Sequence, residues 1–385
     1  MLSKHTFQLC IAAVPVLAVS TSASSLATNT NPTTTLFATA TGRASGLNAA
    51  AKKSGKLWFG TAADIPGTNE INDPYYMKEF NNSRVFGEAT PANAMKFDAT
   101  EPQQNMFDFT GAERFLEVSE ASHKLVRCHN LIWGSQIPSW VTNPSTPWTN
   151  ATLSAVLKNH VQTLVKHFGD RCYSWDVVNE AFSDSPAGSY LDNFWYNNIG
   201  PEYVPMAFKA AADAVKENNL KVKLYYNDYN IEYAGNKSTA AQNLVQELQS
   251  RGIQIDGVGL ESHFIAGETP SQEAQESNMN AFTALGVDVA VTELDVRLTL
   301  PPTAASEAQQ VQDYYSTVAA CRNVQKCIGV TVWDFVDTYS WVPSTFAGQG
   351  YADLFFQPQG QDTTLVKKAA YDGCLEALTG KVEGV

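Results

Sequence analysis

The chain has 385 residues, 44% of them hydrophobic, and a formal net charge of −13 at pH 7. This length and this composition suit one large globular domain or two small ones. The acidic balance and the lack of a basic patch argue against nucleic acid as a partner.

The first residues have the pattern of a secretory signal peptide. Lys4 and His5 precede an apolar run from Phe7 to Val19, and small residues follow it. The run is too short to span a bilayer, and no later stretch is long enough, so we expect no membrane-spanning segment. We predict a signal peptide over residues 1–22, a disordered Ser/Thr-rich leader over 23–46, and a single catalytic domain over 47–385 of a secreted, extracellular protein.

Three sequons for N-glycosylation agree with secretion, and the candidate asparagines are Asn81, Asn150 and Asn236. Of the six cysteines, Cys10 would leave with the signal peptide. We pair Cys321 with Cys327, which are close in the sequence. The remaining three are an odd set, so their pairing stays open and at least one thiol is free: Cys128, Cys172 and Cys374.

Beyond the leader, short apolar segments alternate with amphipathic ones. The predicted strands are Leu57–Asp64, Val85–Thr90, Leu125–Trp133, Tyr173–Glu180, Lys223–Asn230, Gly257–Phe264, Asp288–Val296 and Gly329–Asp337. The predicted helices are Pro74–Phe80, Gly111–Ser122, Thr152–Phe168, Pro201–Asn218, Thr239–Ser250, Ser271–Ala284, Ser306–Cys321 and Leu365–Leu378. Eight strands that alternate with helices predict a single-domain α/β protein, a (β/α)₈ TIM barrel.

Two of the predicted strands end on glutamates. The run from Trp175 to Glu180 ends on Asn179 and Glu180, and the run from Val289 to Asp295 carries Glu293. The carboxyl ends of the strands hold the active site in such barrels, and two carboxyls there can cleave a glycosidic bond if their pKa values differ. We assign Glu180 as general acid/base and Glu293 as nucleophile, with Asp176 and Asp295 as supporting carboxylates behind the site.

Other strands place polar or aromatic side chains at the same end of the predicted barrel. The predicted substrate-binding residues at these positions are Asn93, Lys96, His129, Trp133, Asn179, Tyr229, Glu261, His263, Trp333 and Trp341. Trp333 and Trp341 are interpreted as sugar platforms rather than core residues. No His-x-His or Cys-x-x-Cys pattern occurs, so neither a metal nor a cofactor is expected.

Several motifs are similar to those of glycoside hydrolase family 10, whose founding activity is endo-1,4-β-xylanase: Thr90–Lys96, Trp175–Glu180, Asn227–Asn230, Thr292–Asp295 and Thr331–Trp333. The resemblance covers about residues 47–378. It implies a retaining barrel enzyme with Glu180 as acid/base and Glu293 as nucleophile, acting on a carbohydrate or glycoside. The glycone-binding residues that the resemblance implies are Asn93, Lys96, His129, Gln136, Asn179, His263, Trp333 and Trp341. A monomer is expected.

Three residues depart from the family pattern. The family usually has Glu at Ala92, His at Gly134 and Gln at Glu261. Two truncated side chains remove hydrogen bonds and suggest extra room for a hexose in the glycone site. With the segment from Leu57 to Pro66, they are similar to a fungal tomatinase-like branch that removes the oligosaccharide from the saponin α-tomatine. Tomatinase is therefore the main hypothesis; the alternatives are an endo-1,4-β-xylanase and an inactive carbohydrate-binding barrel.

Overall fold

The computed structural model describes residues 46–380. The predicted signal peptide and the predicted leader up to residue 45 lie outside the described residues. Eight parallel strands form the centre of the domain, numbered here β1 (Trp58–Ala63), β2 (Glu88–Pro91), β3 (Leu125–Ile132), β4 (Ser174–Asn179), β5 (Lys223–Asp228), β6 (Gly257–Leu260), β7 (Asp288–Thr299) and β8 (Cys327–Val332).

The strands close into a barrel in chain order. Each strand pairs in parallel with the next, and β8 pairs with both β7 and β1. The register places Asn179 of β4 opposite Asn227 of β5, and Asn227 opposite Gly259 of β6. These three positions therefore lie at one level of the barrel wall, near the carboxyl ends of the strands. The predicted (β/α)₈ barrel is confirmed.

Helices cover the outside of the barrel. Their bounds are Leu47–Lys53, Pro74–Phe80, Phe97–Thr100, Thr110–Ala121, Ser139–Thr142, Asn150–Phe168, Phe194–Ile199, Tyr203–Glu217, Asn236–Ser250, Gln272–Thr283, Ala304–Asn323, Val342–Thr345 and Ala369–Thr379. Two 3₁₀ turns lie at Asn69–Asn72 and Gly169–Arg171. Short strands outside the barrel wall lie at Phe182–Asp184, Ala187–Tyr190, His263–Ile265, Gln349–Gly350, Phe355–Phe356 and Val366–Lys367.

Local sequence accounts for these elements. Every residue of β1, β2, β4 and β6 is buried, as expected for parallel strands covered by helices. The helix Asn150–Phe168 begins with a capping box in which Thr149 and Thr152 each accept from the other's backbone N–H. The helix places Leu153, Leu157, Val161 and further apolar residues against the core, so its apolar face holds it on the barrel.

Two predicted segments differ from the structure. The predicted strand Gly257–Phe264 is split: β6 ends at Leu260, and a second short strand starts at His263. Between them, Ser262 has a φ of 66°, a left-handed conformation that interrupts the extended backbone. The predicted helix Leu365–Leu378 starts only at Ala369, because Val366 and Lys367 pair with Phe355 and Phe356 in a small antiparallel sheet.

The part of the chain that the structure describes contains two disulfides. Cys321–Cys327 forms as predicted. Cys128–Cys172 joins β3 to the segment that leads into β4. Cys374 is buried and has no disulfide partner among residues 46–380. The candidate glycosylation asparagines are exposed, and their modification stays a prediction. Between residues 46 and 380, no helix combines the length and the apolar character needed to cross a membrane.

Candidate active site

Glu180 and Glu293 lie at the carboxyl end of the barrel, after β4 and within β7. Glu180 has a φ of 55°, and its backbone N–H donates to the carbonyl of Asn227 at 2.9 Å. A left-handed glutamate is uncommon and is held here by its neighbours, as is typical of functional positions. Glu293 continues the extended backbone of β7 and is 5% exposed.

A chain of side-chain amides links the two carboxyls. Asn179 Nδ2 donates to Glu180 Oε1 at 3.0 Å, and Asn227 Nδ2 lies 2.8 Å from both Asn179 Oδ1 and Glu293 Oε1. Thr292 Oγ1 donates to Asn227 Oδ1 at 2.7 Å and fixes the orientation of that amide. The two glutamates are therefore held relative to each other by two asparagines at one level of the barrel.

Glycine at position 259 makes room for this arrangement. A Cβ atom added to Gly259 would lie 2.0 Å from Asn227 Oδ1 and 2.8 Å from the Thr292 methyl. Both distances are far below van der Waals contact, so Asn227 can occupy its position only because β6 carries no side chain there.

Glu293 is surrounded by groups that stabilise its anion. His263 Nε2 lies 3.1 Å from Glu293 Oε2, and His263 Nδ1 lies 2.8 Å from Asp295 Oδ2. Burial acts to lower the pKa of His263, but the two carboxylates raise that pKa to about 10, so the ring is an imidazolium at neutral pH. Burial acts to raise the pKa of Glu293, but the His263 hydrogen bond and the nearby positive charges outweigh it and lower that pKa.

The surroundings of Glu180 favour its protonated form. Burial raises the pKa of Glu180 to about 7, and the negative charges of Asp228 and Glu293 add to the rise. Glu180 therefore keeps its proton in weakly acidic solution, where Glu293 is ionised. A general acid must be protonated and a nucleophile ionised at the same pH, and Glu180 and Glu293 meet these two requirements.

The supporting carboxylates lie where the sequence places them, behind two histidines. Asp176 is fully buried and accepts from Arg127 and from His129 Nδ1, the latter at 3.0 Å. Asp295, also fully buried, accepts from Trp341 Nε1 at 2.7 Å in addition to His263. Each carboxylate fixes the orientation of the histidine in front of it.

A second polar cluster lies beside the carboxyl pair. Lys96 Nζ donates to Gln136 Oε1 at 2.7 Å and to Asn93 Oδ1 at 3.1 Å, and it lies 4.6 Å from the centre of the Trp133 ring. Gln136 Nε2 donates to the same Asn93 oxygen at 3.1 Å. The predicted residues Asn93, Lys96, Trp133 and Gln136 are therefore brought together, with polar groups suited to sugar hydroxyls.

The remaining predicted residues surround the cleft. Trp333 meets His129 edge to face at 5.3 Å between ring centres, and Trp341 meets His263 at 4.8 Å. Both tryptophans are half-buried, as sugar platforms would be. Tyr229 directly follows β5, and the ammonium of Lys237 lies 3.4 Å from the centre of its ring.

The structure corrects one consequence drawn from the altered positions. Gly134 does not open space, because a Cβ atom there would lie 3.0 Å from the Cβ of Asn193. Asn193 thus fills the volume that a side chain at position 134 would need. Ala92 is half-buried, and Glu261 is buried beside Glu293.

One group in the site has the composition of a metal centre. Glu261, His263 and Glu293 offer ligand atoms within 4.8 Å of one another, and no other such group of three occurs among residues 46–380. Both ring nitrogens of His263 are engaged with carboxylates, and the ring is protonated, so it has no lone pair for a metal. The geometry suits proton sharing rather than metal coordination.

Some residues of the site were not predicted as members of it. Asn227 and Thr292 occur in the quoted motifs, but their role as the connection between the glutamates depends on the strand register. Lys237 is nearly fully buried and forms ion pairs with Asp228 and Asp184, at 3.0 and 3.3 Å. A lysine within a helix gives no sequence signal that it reaches the site.

The fold and the pair of glutamates define a glycosidase that works with two carboxyls. A family model described as glycosyl hydrolase family 10 matches residues 46–377. The chain belongs to this family. The family prediction is confirmed, and so is the prediction that the protein is a glycosidase.

Relatives and solved structures agree with this assignment. Endo-1,4-beta-xylanase D of Talaromyces funiculosus is 50% identical over 332 residues, which cover 86% of this chain and 77% of that protein. The crystal structure of a family 10 xylanase from Bispora sp. MEY-1 with xylobiose is 73% identical, with a TM-score of 0.85, and the match covers 86% of this chain and 99% of that one. Penicillium canescens endo-1,4-beta-xylanase XylE is 54% identical, with a TM-score of 0.83 and coverage of 88% and 98%.

Proposed function

We propose that the protein is a secreted endo-1,4-β-xylanase that cleaves xylan with retention of configuration. The observation that carries this proposal is the pair of glutamates, Glu180 and Glu293, held together by Asn179 and Asn227 and given opposite charge states by their surroundings. The roles assigned to the individual residues are part of the proposal.

In the first step, ionised Glu293 attacks the anomeric carbon of the bound sugar. As the glycosidic bond breaks, Glu180 gives its proton to the departing oxygen, so the leaving group departs as a neutral alcohol. The product is a glycosyl ester on Glu293. His263 stays an imidazolium between Glu293 and Asp295, and this hydrogen bond orients the attacking carboxylate.

In the second step, Glu180 is an anion and accepts a proton from a water molecule that enters in place of the leaving group. The water oxygen attacks the anomeric carbon, and Glu293 leaves as a carboxylate. Two inversions give net retention, and both carboxyls return to their starting protonation states.

Xylan is favoured over α-tomatine for two reasons. The relatives and the solved structures reported above carry the name xylanase, and one of those structures contains xylobiose. In addition, Asn193 fills the space at Gly134, which removes part of the argument for a glycone site enlarged for a hexose. The tomatinase hypothesis then depends on Ala92 and on the similarity of one segment.

Secretion is supported by two disulfides, which persist in oxidising compartments, and by the signal-like sequence at the amino terminus. A retaining hydrolase whose site is lined by polar and aromatic side chains suits a polysaccharide.

The full-length chain should be expressed in a host that secretes proteins, and the protein recovered from the culture medium incubated with xylan and, separately, with α-tomatine. We expect short xylo-oligosaccharides from xylan and no free aglycone from α-tomatine. Fast release of the aglycone with intact xylan would reverse the choice of substrate. Binding of either compound without any product would favour the inactive barrel, and a protein found only inside the cells would contradict secretion.

A further inference from the structure

Glu261 is a third carboxyl in the active site, and the reaction above does not use it. It follows β6, is 2% exposed, and its backbone carbonyl accepts from the Glu293 N–H at 2.9 Å. Its Oε1 lies 3.1 Å from Asn227 Nδ2, the same nitrogen that contacts Glu293 Oε1 at 2.8 Å. Two carboxyls therefore share one amide nitrogen in a site largely closed to water.

The amide nitrogen of Asn227 has one hydrogen fewer than the number of acceptors around it. Asn227 Nδ2 carries two hydrogens but lies within 3.1 Å of three acceptors: Asn179 Oδ1, Glu261 Oε1 and Glu293 Oε1. No other side-chain donor within residues 46–380 makes a hydrogen bond to Glu261. The nearest cation, His263 Nε2, is 3.9 Å from Glu261 Oε2, beyond hydrogen-bond distance, and donates to Glu293 instead.

The ionisable groups that act most directly on Glu261 are three acids, Glu293, Glu180 and Asp228, and one base, Lys237. The titratable groups around the shared site come from six strands or the segments after them and from one helix: Lys96, His129, Glu180, Asp228, Tyr229, His263, Glu293, Asp295 and Lys237. The cations among them are already paired or hydrogen-bonded elsewhere: Lys96 with Gln136 and Asn93, Lys237 with Asp228 and Asp184, and His263 with Glu293 and Asp295. A second anion at Glu261 would have no partner of its own.

We propose that Glu261 is a positioning residue that carries a proton in the resting enzyme, so that the negative charge of the pair resides on Glu293. The missing hydrogen at the shared amide is then the one on Glu261. Burial raises the pKa of Glu261 well above its usual range, and the charges of Glu293 and Glu180 act in the same direction. The two carboxyls titrate as one coupled pair.

Such a proton has a consequence for the acid limit of activity. A carboxylic acid is a stronger hydrogen-bond donor than an amide, and charge-assisted O–H···O⁻ bonds are among the strongest in proteins. A carboxyl oxygen of Glu261 lies within 4.8 Å of one of Glu293, so a small rotation of the Glu261 carboxyl would bring its O–H to the Glu293 anion. In that position a protonated Glu261 stabilises ionised Glu293 at low pH more than glutamine would. This inference rests on the proposed reaction, because it assigns the anion to the nucleophile.

The test is the pH dependence of kcat/KM on a soluble xylo-oligosaccharide for wild type and for E261Q, which keeps the shape but cannot ionise. We expect the acid limb to move up by about half a pH unit to one pH unit, with the alkaline limb unchanged. E88Q is the control, because Glu88 is a fully buried barrel glutamate on β2 bonded to Thr90 and Thr331, outside the site; its profile should match wild type.

The other outcomes overturn the proposal. If Glu261 were ionised in the wild type, E261Q would remove a negative charge beside both other glutamates, and both limbs would move to lower pH. If neither limb moved, Glu261 would have no part in the coupled pair. A uniform loss of kcat without a shift of either limb would indicate a merely structural role.

A spectroscopic measurement does not depend on turnover. Infrared spectra near pH 6 should contain a carbonyl band of protonated carboxyl that is lost in E261Q but retained in E180Q, which loses a separate band. Identical protonated-carboxyl bands in wild type and E261Q would refute the proposal even if xylan were the right substrate. If E261Q did not fold, E261D would replace it, because the shorter side chain moves the carboxyl into different surroundings; protonated-carboxyl bands unchanged from wild type in a folded E261D would overturn the proposal.

Discussion

Three glutamates within one site differ in charge because their immediate neighbours differ. Glu293 faces His263, whereas Glu180 faces an amide and the charge of Asp228, and Glu261 faces Glu293 itself. Burial alone would raise the pKa of each of the three. The partner of each carboxyl therefore decides which one is the proposed nucleophile, which the acid, and which the proton carrier.

At the residue scale we expect E180Q to remove the alkaline limb of activity. The proposed acid must be protonated, and burial raises the pKa of Glu180 to about 7, so kcat/KM of the wild type falls as the pH rises through about 7. E180Q should lose about 10²- to 10⁴-fold in kcat on xylan and less on an aryl xyloside whose leaving group needs no proton. Steady-state kinetics on both substrates across pH measure this.

E217Q is the matched control for that variant. Glu217 is exposed and is the last residue of the helix Tyr203–Glu217, so its replacement makes the same carboxyl-to-amide change outside the site. An equal loss of E180Q activity on both substrates, or an alkaline limb that persists in E180Q, would show that Glu180 is not the proton donor.

At the scale of the elements, the register of β4, β5 and β6 builds the site. It places Asn179, Asn227 and Gly259 at one level of the barrel wall. Because Gly259 has no side chain, the amide of Asn227 on the neighbouring strand can reach Glu293. The geometry of the two glutamates therefore depends on β6 as well as on the strands that carry the carboxyls.

We expect G259A to displace Asn227, because the added methyl would lie 2.0 Å from its amide oxygen. A displacement on the order of 1 Å at such a group costs about 10²-fold in rate, and overpacking a core costs about 1–3 kcal/mol in stability. Kinetics on xylan and urea unfolding monitored by circular dichroism measure the two effects.

G111A is the control for this substitution. A Cβ atom at Gly111 would meet Ala94 and Pro66 only at 3.8 Å, and the position lies in a helix. G111A should keep wild-type activity and gain about 0.4–1 kcal/mol in stability. Wild-type activity in a folded G259A would mean that Asn227 does not hold the glutamates.

The sequence predicts most elements because their signals are local. The apolar runs ending on Asn179 and Glu293, and the helical spacing from Leu153 to Phe168, mark strands and a helix without reference to the rest of the chain. The break in the sixth predicted strand was missed because it depends on the left-handed backbone of Ser262, and a serine carries no strong signal for that conformation.

At the scale of the whole molecule, the barrel brings residues that are distant in the chain to one site. Site residues at strand ends can be predicted from the sequence, whereas those that reach the site from elsewhere cannot. Residues at strand ends, such as Lys96, His129 and His263, were identified because a barrel brings all eight ends together. Lys237 and Asn193 were missed, because each reaches the site from outside a barrel strand. The same limit explains the error at Gly134, where the sequence alone suggested space that a distant residue fills.

The most direct test of the account is to identify the carboxyl that becomes covalently bound to the sugar. A 2-fluoro-xylobioside with a good leaving group should form the glycosyl ester and hydrolyse slowly, because fluorine at C2 destabilises both transition states while the leaving group accelerates only the first step. Peptide mass spectrometry of the trapped wild-type protein should locate one xylobiosyl group on Glu293. A label on Glu180 or Glu261, or no label in an enzyme that turns over xylan, would contradict the account.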